Sequence, residues 1–157
     1  MSEELSKPLF AYALRLLGRR WYSVAEMEKK LKTRQKKWKV GLPEDIAPII
    51  ERLKQLKYLD DRNFARLFSE SSLRQKPQGQ KMLALRLKQK GIAANVISET
   101  LAQQNLDEYK LAAEAVRKKL LTLHESSFIK RKEKLYRFLL ARGFSHSTSM
   151  EVLRYFK

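Results

Sequence analysis

A block of helix-forming sequence recurs three times along this chain, and any fold it adopts must accommodate that recurrence first. In the second copy, Met82-Leu83 through Leu87 and Lys90 closes on Gly91-Ile92; in the third, Lys134-Leu135 through Leu139 and Arg142 closes on Gly143-Phe144. Leu83, Leu87, Gly91, Ile92 and Leu101 therefore superpose on Leu135, Leu139, Gly143, Phe144 and Leu153. The first copy, Glu26-Met27 to Leu31, is more degraded and lacks the glycine. The helices ahead of these stretches echo one another as Phe10-Ala11-x-x-Leu14, Phe64-Ala65-x-x-Phe68 and Leu111-Ala112-x-x-Ala115. A period of roughly 50 residues marks stacked units that bury their cores against neighbours, because a unit that small buries too little surface alone. The chain of 157 residues thus reads as three units, 1–59, 60–105 and 106–157, in an extended array.

Helix signals are dense and period-two runs of β-branched residues are absent, so the class is all-α. Leu9, Phe10, Ala13, Leu14 and Leu17 form one stripe that ends near Gly18. Ser23-Val-Ala-Glu26 reads as a capping box opening a helix with Val24, Met27 and Leu31 inward. Pro43 suits the first turn of a third helix, with Ile46, Ile49, Ile50, Leu53 and Leu56 facing the core. Asp60-Asp61 opens the second unit as an N-cap, followed by an inward stripe of Phe64, Leu67, Phe68 and Ser71. Lys76-Pro77-Gln78-Gly79 breaks the chain before the next helix, Gly91 and Gly143 fall where helices need a left-handed residue, and Asp107 starts the last unit. The stretch from Leu123 to Phe128 reads as that unit's inner loop.

Little here supports catalysis. His124 and His146 stand in loop positions without ligand spacing, and no cysteine is present. The five glycines never fall closer than 12 residues apart, so no Gly-rich phosphate loop can be drawn. Asp60-Asp61 is explained by capping, and neither a cofactor nor a metal is expected. Without cysteines, without a long apolar run and with a Met-Ser-Glu-Glu start unlike a signal peptide, the expectation is a cytoplasmic protein that is not a membrane binder and not an enzyme.

Charge is the stronger signal. Lys and Arg number 34 against 17 Asp and Glu, a net +17 spread over all three units. Charge of that sign on a folded chain points to a polyanionic partner. Lys29, Lys30, Lys32, Arg34, Lys36, Lys37 and Lys39 form one dense run, and Thr33 to Gly41 contains no acid. Similar clusters follow at Arg74, Lys76, Lys81, Arg86, Lys88 and Lys90, and at Lys130, Arg131, Lys132, Lys134, Arg137 and Arg142; Arg19 and Arg20 precede the first. Stacked units would align these clusters along one side as a partner or DNA-binding surface. Trp38, inside the first run, either pins its loop to the core or stacks on a partner.

The sequence also resembles the RecX family. Ala11-Tyr12-Ala13-Leu14-Arg15 with Arg19-Arg20, Ser23 and Glu26, then Lys57-Tyr58-Leu59-Asp60-Asp61 with Phe64-Ala65, then Leu87-Lys88-Gln89-Lys90-Gly91-Ile92, and last Arg137 to Phe144 carry the likeness, in order and over nearly the whole chain. The resemblance implies three tandem three-helix repeats forming an elongated, curved array. It further implies a regulator that binds RecA–DNA filaments and restrains ATP hydrolysis, strand exchange and co-protease activity, acting in recombination, DNA repair and the SOS response. RecA filaments on single-stranded DNA would be the partner, with weak direct nucleic-acid binding by a monomer. One departure is Arg86, where the family commonly carries an acid, which makes the local surface more basic. Two other readings stay open: sequence-independent DNA binding without RecA, and a helical adaptor for an acidic protein.

Overall fold

The computed structural model describes residues 3–40 and 43–155. It is all-helical, and no strand occurs among the described residues. Helices α1 (Glu3–Leu17), α2 (Val24–Trp38) and α3 (Ile46–Gln55) pack on one another, as do α4 (Asp61–Gln75), α5 (Gln80–Gln89) and α6 (Ala94–Gln104), and then α7 (Glu108–Leu120), α8 (Phe128–Ala141) and α9 (His146–Arg154). A single 3-10 turn, Pro43–Asp45, leads into α3. None of the described helices is long and apolar enough to cross a membrane.

Each triplet has its own apolar cluster. Leu9, Tyr12, Ala13, Met27, Leu31 and the α3 isoleucines form the first; Phe64, Ala65, Leu87, Ile92 and Ile97 the second; Ala112, Val116, Leu135, Leu139, Phe144 and Leu153 the third. The first copy of the repeat is complete in three dimensions. Counted back from the helix end it lies one turn later than the alignment of Met27 and Leu31 with Leu83 and Leu87: Leu31 and Gln35 are the buried residues at those places, and Lys39 adopts φ 54°, the left-handed conformation that Gly91 (77°) and Gly143 (80°) take at the corresponding helix ends. A lysine there is unfavourable but tolerated, so the missing glycine conceals the repeat without removing it.

Three expectations are corrected. The echo in α1 is shifted by two residues: Ala11 is exposed, whereas Tyr12 and Ala13 are buried like Phe64-Ala65. Two alanines separated by one residue defeat a pattern read without contacts. Leu56 is 51 % exposed because α3 stops at Gln55, Lys57 turns left-handed at φ 58°, and Leu59 takes the buried place. Ser71 is exposed while Ser69 and Ser72 are buried, since the inward face of α4 rotates toward α5 and α6.

The triplets join by one repeated set of bonds at the start of a second helix. Ser23, the N-cap of α2, donates its hydroxyl to the Lys90 carbonyl at 2.6 Å, and the Val24 N–H donates to the Asp61 carboxylate at 2.9 Å. At the next junction the N–H of Gly79, the N-cap of α5, donates to the Arg142 carbonyl at 2.9 Å, and the Gln80 N–H to the Glu108 carboxylate at 2.7 Å. In both, a helix end of the following triplet caps a helix start of the preceding one, satisfying amides left unpaired by the helix. Asp60 and Asp61 thereby divide the work: Asp60 caps its own helix through the Arg62 and Asn63 N–H groups, and Asp61 caps α2 across the junction. Burial raises the Asp61 carboxyl pKa, against the lowering effect of the Val24 N–H and Lys54, with Asp60 adding to the rise.

Candidate nucleic-acid interface

The helical repeat turns the α2 sequence into two faces. Met27, Leu31 and Gln35 point inward, which leaves Lys29, Lys30, Thr33, Lys36 and Lys37 on the outer side at helical spacing. The first junction places this outer face opposite the end of α5. Between them lies an open groove of about 640 Å³, walled by Arg20, Glu26, Lys29, Lys30 and Thr33 on one side and Lys88, Gln89, Lys90 and Gly91 on the other.

The one carboxylate on those walls is already engaged. Glu26 binds the Lys90 ammonium at 2.7 Å and the Arg20 guanidinium at 3.5 Å. Partial burial works to raise its pKa, but the hydrogen bond and charge of Lys90, with Arg20 and the Ser23 N–H, outweigh it and hold the carboxyl below its ordinary range. Ser23 in turn accepts the Glu26 N–H at 3.1 Å, so the expected cap forms while the Glu26 side chain works across the junction. With Glu26 neutralised, Lys29, Lys30 and Lys88 stand as exposed cations without partners among the described residues. A strip of unpaired ammonium groups along a groove suits phosphate oxygens, and it offers no nucleophile or base for catalysis.

The remaining basic residues differ in what holds them. Arg19, Lys36, Lys37 and Lys39 are exposed, as are Lys76, Lys81, Lys130 and Arg137. Arg74 is exposed but lies 3.7 Å from Glu70. Others are expected on an open binding face and are instead half-buried and tethered. Arg34 lies 4.2 Å from the Tyr12 ring centroid and 4.7 Å from that of Trp38. Arg86 donates to the Gln78 amide oxygen at 3.3 Å and its guanidinium lies 5.3 Å from the Phe68 ring centroid. Lys90 is bound to Glu26, Arg131 donates to the Glu125 carbonyl at 2.9 and 3.1 Å, Lys132 approaches Phe128, and Arg142 covers Phe138. Of the middle cluster only Lys76, Lys81 and Lys88 remain free. Most of these cationic heads lie over aromatic rings, and Arg131 is held by a backbone carbonyl, uses that a count of charges cannot distinguish from solvation.

The second junction repeats the backbone bonds but not the chemistry. Counted from the capped helix starts Ser23 and Gly79, the position matching Lys29 is Leu85, and counted back from Lys90 and Arg142, the position matching Lys88 is Leu140; the two leucines are 49 % and 41 % exposed. Recurrence of basic stretches thus overstates the alignment: the basic surface at the second junction is a smaller pocket of about 240 Å³ in a different place, between Lys76 on one side and Lys118, Lys119 and Arg142 on the other. Trp38 packs edge-on against Tyr12 at 5.8 Å, so it anchors the end of α2 to the core while remaining 37 % exposed. The histidines lie apart: His146 Nδ1 is 2.6 Å from the Tyr136 hydroxyl, and His124 is exposed.

Comparison with known proteins decides the family. Residues 60–101 match the second three-helix domain of RecX and residues 107–153 the third. The chain belongs to the RecX family. It is 40 % identical over 155 residues to the regulatory protein RecX of Chlorobaculum tepidum, covering 98 % of this chain and 91 % of that one. To the regulatory protein RecX of Haemophilus influenzae (strain KW20 Rd) it is 30 % identical over 141 residues, 89 % of each chain. A crystal structure of RecX from Lactobacillus salivarius superposes with a TM-score of 0.81 at 22 % identity, covering 98 % of this chain and 97 % of that one, so the fold is shared. A second crystal structure of a regulatory protein RecX gives a TM-score of 0.78 over 94 % of this chain and 71 % of that one. The family's helical repeat array is therefore the frame that holds the groove.

The sequence reading passes over one residue beside it. Trp21 follows Arg19-Arg20 in the α1–α2 turn and is 58 % exposed. Two arginines followed by an aromatic between predicted helices was the available signal.

Proposed function

We propose that this protein regulates RecA by binding its filament on single-stranded DNA, restraining ATP hydrolysis, strand exchange and co-protease activity and so modulating recombination and repair. It works in the cytoplasm as a monomer of three tandem units, 1–59, 60–105 and 106–157. The observation that carries this reading is the basic groove at the first junction, in a chain whose relatives are regulatory proteins. Binding at a groove between two units that are capped into each other lets a small array resist changes in the spacing of what it contacts. Inhibition then requires no catalytic residue. Affinity comes from counterion release on the DNA side and from docking at several points along the filament.

A second reading is sequence-independent DNA binding without RecA, which the unpaired Lys29, Lys30 and Lys88 favour. Co-sedimentation with RecA filaments on single-stranded DNA, run beside naked DNA at two salt concentrations, separates the two. Retention on filaments at a salt concentration that releases naked DNA supports regulation of RecA; equal release from both supports the second reading.

A further inference from the structure

Among large apolar side chains, Trp21 is placed unlike the protein's other tryptophan. Trp38 packs on Tyr12 beneath Arg34, whereas the Trp21 indole has no ring contact or hydrogen bond among the described residues and is 58 % exposed. The turn that carries it is nevertheless firmly held. Arg19 and Arg20 donate backbone N–H groups to the Leu16 carbonyl at 3.0 and 3.3 Å, and the next two residues, Tyr22 and Ser23, are buried. The Arg20 guanidinium lies 3.7 Å from the Tyr22 ring centroid, donates to the Trp21 carbonyl at 3.2 Å and reaches Glu26 on the groove wall. An exposed indole is therefore presented by a fixed backbone beside a groove lined with free ammonium groups.

We propose that Trp21 is a stacking platform for a base of single-stranded nucleic acid whose phosphates lie along Lys29, Lys30 and Lys88. The inference deepens the proposed function and rests on its assignment of nucleic acid to this groove. An indole face with neighbouring cations fits a strand whose bases are free to leave the stack, because each base offers a π-face while its phosphate seeks positive charge. A duplex keeps its bases inside and offers no such face. A fixed turn also spares the entropy of ordering the platform at binding. Sequence preference is absent, since stacking and phosphate contacts read no base edge.

Trp38→Phe leaves Trp21 as the only tryptophan and makes its fluorescence the reporter. The probes are an oligothymidylate, an abasic deoxyribose-phosphate strand of equal length, and a duplex. Oligothymidylate should quench Trp21 emission, while the abasic strand and the duplex should quench it little. In the otherwise unaltered protein, Trp21→Ala should weaken oligothymidylate binding roughly five- to 150-fold, toward the affinity of the abasic strand, and Trp21→Phe should retain most of it. Since Trp21 is exposed, circular dichroism should show both variants folded. Equal affinity of Trp21→Ala and the parent protein for oligothymidylate overturns the proposal, as does equal quenching by the abasic strand. Inhibition of RecA ATP hydrolysis by the same parent preparation is measured alongside. If inhibition persists while stacking fails, only this inference falls; if both fail, the regulatory reading falls with it.

Discussion

Replacing Gly91 by alanine tests the junction that forms the groove. Gly91 sits at φ 77°, and a Cβ built on it would come 2.3 Å from the Ala25 Cβ of the preceding triplet. The left-handed conformation costs an alanine about 1–2 kcal/mol, and forcing a methyl group into a filled contact costs about 1–3 kcal/mol more. Ala25 has no flexible end to move aside, so relief must come from the separation of α2 and α5. The expected loss is about 2–5 kcal/mol, a large share of the roughly 5–15 kcal/mol of a typical domain. Gly143→Ala should cost at least as much, because its Cβ would meet the Met82 backbone nitrogen at 2.4 Å with φ at 80°. Gly18→Ala is the control: its nearest neighbours would lie at 3.6 and 3.8 Å without a positive φ, so it should be neutral or stabilising by about 0.4–1 kcal/mol. Urea unfolding followed by circular dichroism gives the three differences, read from midpoints at unchanged slope. Stability of Gly91→Ala within about 0.5 kcal/mol of the parent would refute the close approach at the first junction.

Further outcomes follow from the junction charges and from the groove. Because the Glu26 carboxyl is held below its ordinary range, it contributes stability above its unfolded pKa of about 4.3, which is lost as pH falls through the folded value; Glu26→Gln should thus be less stable than the parent at pH 7 and approach it as the pH of thermal melts is lowered through that value. Asp61 has the opposite sign: its contribution is present below about pH 3.9 and is lost as pH rises through the raised folded value. Asp61→Asn, which keeps an oxygen for the Val24 N–H, should therefore be at least as stable as the parent at pH 7. Neutralising Lys29, Lys30 and Lys88 to glutamine should weaken single-stranded DNA binding and flatten its salt dependence more than neutralising Lys36, Lys37 and Lys39, measured by fluorescence anisotropy across a salt series; equal effects would argue against the groove. Arg86→Gln and Lys90→Gln are unsuitable for that comparison, since each removes a structural contact as well as a charge.

The parts of this fold that were legible from sequence are those fixed by local chemistry. Ser23, Asp60 and Asp107 accept backbone N–H groups at helix starts as their types require, and Gly91 and Gly143 take the left-handed positions that their spacing marks. What stayed hidden depends on contacts between residues far apart in the chain. The inter-unit roles of Ser23 and Asp61 arise only once Lys90 and Val24 are brought beside them, and the burial of Gln35 in a leucine position has no local signature. The candidate site was half legible for the same reason. Runs of lysine and arginine announce an electropositive protein, but whether a given cation is free, as Lys88 is, or tethered, as Arg34 and Arg86 are, is decided by nearby aromatic rings and amides.

Regulation of a RecA filament is read from the steady-state rate of ATP hydrolysis by RecA on single-stranded DNA. Titrating the protein into that reaction should lower the rate, with half of the effect reached below one molecule per RecA protomer, as the proposed docking of one array across more than one protomer requires. An undiminished rate at equimolar protein, with both proteins folded and RecA shown to be active, would contradict it.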